Sequence, residues 1–262
     1  MAVVFAGTGL HTGRPARLTV HPQPAGKGLL FRRTDLAGHP TVPVEPDKVV
    51  DSTLHTRLSH RDVEVATVEH LLAACHVVGL WDAELHLEGQ EVPILDGSAQ
   101  PFVKELAEVA TAPSPAALVV SQGLDLRQGP QWARVRPAST FSVTCVVDFD
   151  HPAIGRQQVS WNGEQLSFAQ EFGPARTFGF LRDVERMRRQ GLALGGSLDN
   201  ALVFDERGPL TPLRMPLEPA CHKLLDVVGD LALLGRPLVG AVEMERPSHA
   251  LTREMVRRLW QG

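Results

Sequence analysis

Cysteine is scarce in this chain: Cys75, Cys145 and Cys221 are odd in number, widely separated and never paired as Cys-x-x-Cys. That spacing excludes a disulfide framework and a thiolate metal site, and it leaves Cys221 as a reduced core residue. No apolar run approaches the roughly 20 residues of a membrane span. Met1-Ala2-Val3-Val4-Phe5 lacks the basic start and the length of a secretion signal. The expectation is a cytoplasmic protein without integral membrane association. A basic excess is missing too, since 26 Lys and Arg against 30 Asp and Glu give a net charge of -4, which argues against a nucleic-acid partner. There is no low-complexity segment or short tandem repeat. His-Glu-x-x-His is absent, and His-x-x-Glu-His fails because Ala66 occupies its first position. No Walker-type lysine follows Gly7, Gly9 and Gly13, so those glycines read as a tight turn between strands.

What the chain does have is the composition of an ordinary globular protein, 262 residues with 43% hydrophobic content. This length suits two domains of roughly 100–150 residues. Small residues and two prolines in Thr111-Ala112-Pro113-Ser114-Pro115-Ala116 mark a boundary between residues 1–114 and 115–262. Alternating stretches at 16–21, 83–88, 118–120 and 141–149 predict strands, while 68–78, 102–109, 222–234 and 252–260 predict helices. Both halves therefore mix strand and helix, which makes the chain α+β.

The most informative segment is Cys221-His222-Lys223-Leu224-Leu225-Asp226-Val227-Val228-Gly229-Asp230-Leu231. At about 100° per residue, His222, Lys223, Asp226 and Asp230 share one arc of a helix whose remaining surface is apolar. His and Asp one turn apart can hold a cation from one side, and zinc suits a nitrogen and oxygen pair. A polar helix face turned to water is the alternative reading of the same spacing. A catalytic metal needs a third ligand, and the candidate is His70 in Ala66-Thr67-Val68-Glu69-His70-Leu71-Leu72. Thr67 is placed to cap that helix, with Glu69 and His70 in its first turn. Taken alone, Glu69 is also a carboxylate favoured by the helix dipole, and His70 an interfacial histidine. The His70 and His222 helices resemble each other, each running through a Gly turn, near Gly79 or Gly235, into a strand-like stretch. That hints at an internal duplication, with matching helices converging on one ion.

A set of motifs then occurs in order along almost the whole chain. They are Gly9-Leu10-His11-Thr12-Gly13, Thr67-Val68-Glu69-His70, Ile94-Leu95-Asp96-Gly97-Ser98-Ala99, Asp148-Phe149-Asp150-His151-Pro152-Ala153-Ile154, Ala175-Arg176-Thr177-Phe178-Gly179-Phe180, Leu194-Gly195-Gly196-Ser197, His222-Lys223-Leu224-Leu225-Asp226 and Ser248-His249-Ala250-Leu251. In this order they resemble the UDP-3-O-acyl-N-acetylglucosamine deacetylases, zinc amidases of lipid A synthesis. The resemblance implies two related domains, each a β-sheet packed with α-helices, layered with the active site between them. It implies one catalytic zinc ion on His70, His222 and Asp226, leaving a fourth position for water whose pKa the ion lowers from about 15.7 toward 7. Glu69 takes the role of general base. His249 is a cation that stabilises the oxyanion or protonates the departing amine, with the Thr177 hydroxyl beside it, Lys223 supporting the cleft and Asp230 holding His249 charged.

The implied substrate carries a nucleotide, a sugar and a fatty acyl chain. Leu181, Val184, Leu192, Ala193, Leu194, Ala201 and Val203 are the candidates for an apolar passage built of strand, short helix and strand, with core packing as the competing explanation. Arg182, Arg186, Arg188 and Arg189 of the intervening helix read as a solvated face. Phe149 and Phe178 are candidate substrate contacts, Phe149 stacking on the uracil, and Arg246 is the candidate for a phosphate. His11 and His55 border the cleft or serve as structural histidines. Two positions depart from the family pattern: Gln131 stands where a lysine is common, and Ser248 where glycine is common. The chain also starts several residues later than the family pattern, so a short first strand is expected. A small-molecule substrate, a monomer and no nucleic-acid partner complete the expectation. Two alternatives remain: a zinc amidase acting on a different acetylated nucleotide sugar, and a non-catalytic homologue that binds a UDP-sugar or lipid.

Overall fold

Two five-stranded sheets with the same wiring frame the protein. The structure is a computed structural model that describes residues 2–50, 54–110 and 113–262. The first sheet orders its strands Val3–Thr8, Pro15–Pro22, Ala83–Glu88, Leu29–Arg33, Thr41–Pro43. The second orders Leu124–Gln128, Gln131–Arg136, Ala241–Glu245, Ser142–Phe149, Gly155–Trp161. In each, three neighbouring pairs are antiparallel and the third-to-fourth pair is parallel. In each, a helix precedes the central strand and another follows it: Glu69–Val78 and Gln100–Leu106 in one half, Glu218–Leu231 and His249–Gln261 in the other. The duplication suggested by two similar helices thus extends to the whole topology.

Alternation explains the sheets. In Pro15–Pro22 the side chains of Ala16, Leu18 and Val20 are buried, and in Ala83–Glu88 those of Ala83, Leu85 and Leu87. Val242 and Met244 do the same in the second sheet. Those apolar faces join the helices in one continuous core. Every residue of Glu218–Leu231 except Lys223 is buried. A polar face turned to water is therefore excluded for His222, Asp226 and Asp230, which point into the protein interior.

Each half carries an insert ahead of its metal-site helix. In the first half it is a three-stranded sheet of Val49–Val50, Arg57–His60 and Val63–Ala66. In the second half the parallel strands Phe178–Phe180 and Leu202–Phe204 enclose the helix Leu181–Arg189. This is the strand, helix and strand expected for the acyl segment.

Several boundaries differ from the sequence reading. The 222–234 helix begins at Glu218, where Pro219 fits a first turn that has no use for its missing donor, and ends in a 3-10 turn, Ala232–Leu234, before Gly235 (φ 67°). The 252–260 helix begins at His249, because the Ser248 hydroxyl accepts a hydrogen bond from the Leu251 amide (3.4 Å) and caps it. The 102–109 helix is shifted to Gln100–Leu106, and the 118–120 strand shrinks to Leu118–Val119, paired with Leu238–Val239. Of the boundary stretch 111–116, Thr111 and Ala112 lie outside the described residues, as do Ser52 and Thr53 before His55. Gly13 (φ 63°) closes the expected turn, with its amide on the Gly9 carbonyl. Among the described residues all three cysteines are free and buried.

His76, at the end of the first-half helix, sits among Trp81 (5.1 Å), Phe141 (5.5 Å) and Trp161 (6.3 Å), the last two from the second half. Its buried Nδ1 has no hydrogen-bond partner among the described residues, and burial pushes its pKa down to about 4. A histidine depressed in the folded state contributes stability that is whole above its unfolded pKa of 6.5 and is lost as pH falls toward 4. Urea unfolding of His76→Phe should lack about 2 kcal/mol of the stability loss that the parent shows between pH 7 and pH 5.

Candidate active site

The Glu69–Val78 and Glu218–Leu231 helices touch backbone to backbone, and a glycine makes this possible. A methyl group at Gly229 would stand 2.8 Å from the carbonyl carbon of Glu69 and closer still to its oxygen. With no side chain there, Glu69 and His70 of one half lie against Asp226 and Asp230 of the other.

Thr67 does not cap the first helix as expected. It adopts a left-handed backbone (φ 55°), and its hydroxyl donates to Glu91 Oε1 (2.8 Å), so Val68 takes the capping position without a side-chain bond. Buried Glu91 also accepts the amides of His11 and Thr12 and the Thr12 hydroxyl. The glycine-rich turn is thereby fastened to the residue that enters the first helix.

His70, His222 and Asp226 come together, with one donor atom of each within 4.8 Å of the others. His222 Nδ1 lies 3.0 Å from the Ala175 carbonyl, which turns Nε2 toward Asp226 Oδ1 at 3.3 Å. His70 Nε2 lies 3.8 Å from the same oxygen. Asp226 Oδ1 is buried and has no hydrogen-bond partner among the described residues, while Oδ2 accepts from Lys223 Nζ (2.7 Å). An unpartnered buried carboxylate oxygen faced by two imidazole nitrogens is a donor set that fits a divalent cation, and two nitrogens with one oxygen suit zinc. Burial pushes His70 down to about 3 and lowers His222, keeping both neutral and able to ligate. Burial opposes the charge of Asp226, but His222, Lys223, His249 and His70 outweigh it and hold the carboxyl below its ordinary range.

Opposite stand Glu69 and His249. His249 Nδ1 pairs with Asp230 Oδ2 (3.0 Å), so its Nε2 is directed toward Glu69 Oε1 (4.0 Å) and Asp226 Oδ2 (3.9 Å). Burial disfavours the imidazolium, as does its place at a helix N-terminus, yet Asp230, Glu69 and Asp226 raise its pKa to about 9. For Glu69, burial raises the pKa, with Asp226 and Asp230 adding and His249 opposing, to about 8. The arrangement sets a cation-binding trio beside a carboxyl group and an imidazolium that can both exchange protons near neutral pH.

The other predicted residues are placed less centrally. Thr177 is two residues beyond Ala175, and its hydroxyl makes no hydrogen bond among the described residues. Its backbone bonds Gly97 and Leu202. Gly97 (φ 84°) is the expected turn glycine and leaves no room for a side chain against Asn200. Leu181 and Leu194 are exposed, and Val184, Leu192, Ala193, Ala201 and Val203 are half-buried. Packing does not consume these seven, because the insert's own core is Ile154, Leu202 and Phe204 with Phe149, Phe178 and Phe180 against it. Phe149 packs edge-on against Phe178 (5.4 Å). Arg246 pairs with Asp148 (2.6 Å), so its charge is already shared. Arg186 pairs with Asp183 and Arg182 lies over Phe180, on an exposed helix face. His11 and His55 are buried with rings 4.5 Å apart, and His11 Nδ1 accepts from the Ala193 amide (3.3 Å). The two departures from the family pattern meet: Ser248 Oγ donates to Gln131 Oε1 (3.1 Å).

Three contributors escaped the sequence reading. Arg176 and Glu218 form a buried bidentate pair (2.8 and 3.1 Å) that fixes the chain next to Ala175. Thr56 bonds both Glu69 and Asp230. Gly229 was visible in its segment, but only the facing helix gives it meaning.

Comparison with known proteins agrees with this geometry. A family model described as UDP-3-O-acyl N-acetylglycosamine deacetylase matches residues 1–261. A UDP-3-O-acyl-N-acetylglucosamine deacetylase of Anaeromyxobacter dehalogenans is 45% identical, with 98% of this chain and 84% of the relative covered. The Myxococcus xanthus protein of that name is 42% identical, covering 97% and 82%. That of Methylococcus capsulatus is 42% identical, covering 97% and 86%.

Two substitutions test the construction. Asp226→Ala should weaken zinc binding, read by competition with a chromogenic chelator, by more than the roughly 10–100-fold that loss of an outer partner costs, with the fold intact. Gly229→Ala should lower stability to urea by about 2 kcal/mol through overpacking and abolish turnover by forcing Glu69 away from Asp226 and Asp230.

Proposed function

The chain belongs to the UDP-3-O-acyl-N-acetylglucosamine deacetylase family, and we infer that it hydrolyses the N-acetyl group of UDP-3-O-(3-hydroxyacyl)-N-acetylglucosamine. The products are acetate and the free amine, in the committed step of lipid A synthesis. The observation that carries this reading is the convergence of His70, His222 and Asp226 from two helices onto a point flanked by Glu69 and His249.

Amides resist hydrolysis because water is a weak nucleophile and an amine a poor leaving group. A zinc ion held by His70, His222 and Asp226 supplies Lewis-acid polarisation and the acidification of water. Glu69, whose Oε2 is held by the Thr56 amide (3.0 Å), takes the proton from the attacking water. His249, kept charged by Asp230, presents Nε2–H to the oxygen that gains negative charge and can pass that proton to the nitrogen as the C–N bond breaks. Lys223 holds Asp226 Oδ2, which leaves Oδ1 turned toward His222 and His70. Thr177 lies two residues beyond the Ala175 carbonyl, in the loop that leads into Phe178–Phe180, and serves as a further donor to the acetyl oxygen.

The half-buried and exposed apolar side chains Leu181, Val184, Leu192, Ala193, Leu194, Ala201 and Val203 suit the 3-O-acyl chain, since burying them on a ligand would stabilise the complex at about 25 cal/mol per Å². Phe149 and Arg246 are assigned to the uridine diphosphate end, with Arg246 exchanging Asp148 for a phosphate, and Phe178, edge-on against Phe149, is a further substrate contact. No helix among the described residues is long and apolar enough to cross a membrane, and a nucleotide-linked substrate argues for work in the cytoplasm.

Zinc-loaded protein should release acetate from UDP-3-O-(3-hydroxyacyl)-N-acetylglucosamine, with a rate that varies with acyl length. Folded, loaded protein without turnover would instead favour another acetylated nucleotide sugar or a binding role. Glu69→Ala should lower kcat by about 10²–10⁴-fold while zinc stoichiometry stays at the parent value, and unchanged turnover would remove Glu69 as the base.

A further inference from the structure

Thr56 is a buried residue at the start of the small three-stranded sheet, and it bonds to all of the elements that carry proton-transfer groups. Its carbonyl accepts the Val68 amide (3.4 Å), and its own amide donates to Glu69 Oε2 (3.0 Å). Its hydroxyl donates to Asp230 Oδ1 (2.5 Å), and the same oxygen lies 3.1 Å from His249 Nδ1. One residue therefore reaches the first-half helix, the metal-site helix of the second half and the first residue of His249–Gln261.

We propose that Thr56 is a positioning residue of the deacetylation reaction, its hydroxyl clamping Asp230 so that the His249 ring keeps its Nδ1–H on Asp230 and holds one orientation. The proton count supports this. A threonine hydroxyl has one proton, and at 2.5 Å it goes to Asp230 Oδ1. The remaining Asp230 oxygen, Oδ2, then takes the His249 Nδ1 proton (3.0 Å). The Thr56 oxygen near Nδ1 presents a lone pair to that same N–H and would repel a bare nitrogen there. All three contacts agree only when Nδ1 carries a proton, which commits Nε2 to the side of Glu69 and Asp226. Without the hydroxyl, Asp230 Oδ1 would lose a partner in a buried site, and the carboxylate would be free to rotate about its Cβ–Cγ bond and take the imidazole with it. The Thr56 hydroxyl touches neither the metal-ligand atoms nor Glu69, so its effect passes through Asp230 and His249.

The proposal rests on the deacetylase reading, and its test separates the two. Thr56→Val keeps the shape and the backbone amide on Glu69 but removes the hydroxyl, while Thr56→Ser keeps the hydroxyl. Thr56→Val should lower kcat by about 30-fold, the size of effect expected for an outer partner of an active-site imidazole, with KM and zinc affinity within about twofold of the parent. Thr56→Ser should restore most of kcat. In ¹H–¹⁵N spectra of the zinc-loaded protein, the His249 Nδ1 proton, assigned by its loss in His249→Gln, should be sharp in the parent and in Thr56→Ser, and broadened by exchange in Thr56→Val. Thr56→Val with parent kcat, or Thr56→Ser failing as fully as Thr56→Val at equal thermal stability, would overturn the proposal. If the parent protein releases no acetate, the deacetylase reading fails. The spectra need no substrate and still decide the role of Thr56, an unchanged Nδ1 resonance in Thr56→Val counting against it.

Discussion

The closeness of two helices at Gly229 is the constraint on which the site depends. Because the Glu69 backbone rests against a residue with no side chain, three carboxyl groups, Glu69, Asp226 and Asp230, share one buried space. Such a concentration of negative charge in low dielectric is unfavourable unless it is neutralised, and the protein neutralises it unevenly. Lys223 answers Asp226, His249 answers Asp230, and Glu69 receives backbone amides, that of Thr56 among them, and a more distant His249. Burial first, and then that imbalance, make Glu69 retain its proton more strongly than an ordinary carboxyl, and they separate it from Asp226 although both are buried carboxylates on touching helices.

The duplicated sheets provide the symmetry that brings the helices together, and the inserts break it. Each half offers a histidine from the helix ahead of its central strand, but only the second half extends that helix with Asp226 and Asp230. The loop into the first insert supplies Thr56 beside Glu69, Asp230 and His249, and His55 against His11. The loop into the second supplies the Ala175 carbonyl under His222, and the insert itself an apolar lobe whose own core leaves other side chains uncovered. A pair of equivalent frames thus yields one site with distinct sides, one of buried ionisable groups and one of uncovered apolar side chains.

The parts of this design that lie in side-chain identity along a single helix could be read from the sequence. The 3.6-residue period placed His222, Asp226 and Asp230 on one arc, although their burial was not decided by that period, since a helix buried all round and one with a wet face share the same local pattern. The equivalence of the two halves showed faintly in the His-Leu-Leu openings, but the shared strand order rests on pairings between residues far apart. Backbone groups carry no signature at all: the Ala175 carbonyl and the Thr56 amide act regardless of side chain. The start of the last helix was missed because Ser248, a good cap, precedes a histidine and an alanine that give no apolar stripe until Leu251. Thr67 misled in the opposite direction, since a residue type that caps helices spends its hydroxyl on Glu91, a partner made adjacent only by the fold.

The split of the ligand set between the halves bears on how the protein acquires its metal. The first half presents His70 alone, and His222 with Asp226 stand ready only when the Glu218–Leu231 helix has formed and Gly229 has docked on Glu69. A nascent chain therefore offers the cell's metal ions no preformed trap while it is being synthesised. Docking of the two helices is thus what completes the ligand set, and a chain with misdocked halves would separate His70 from the His222 and Asp226 pair.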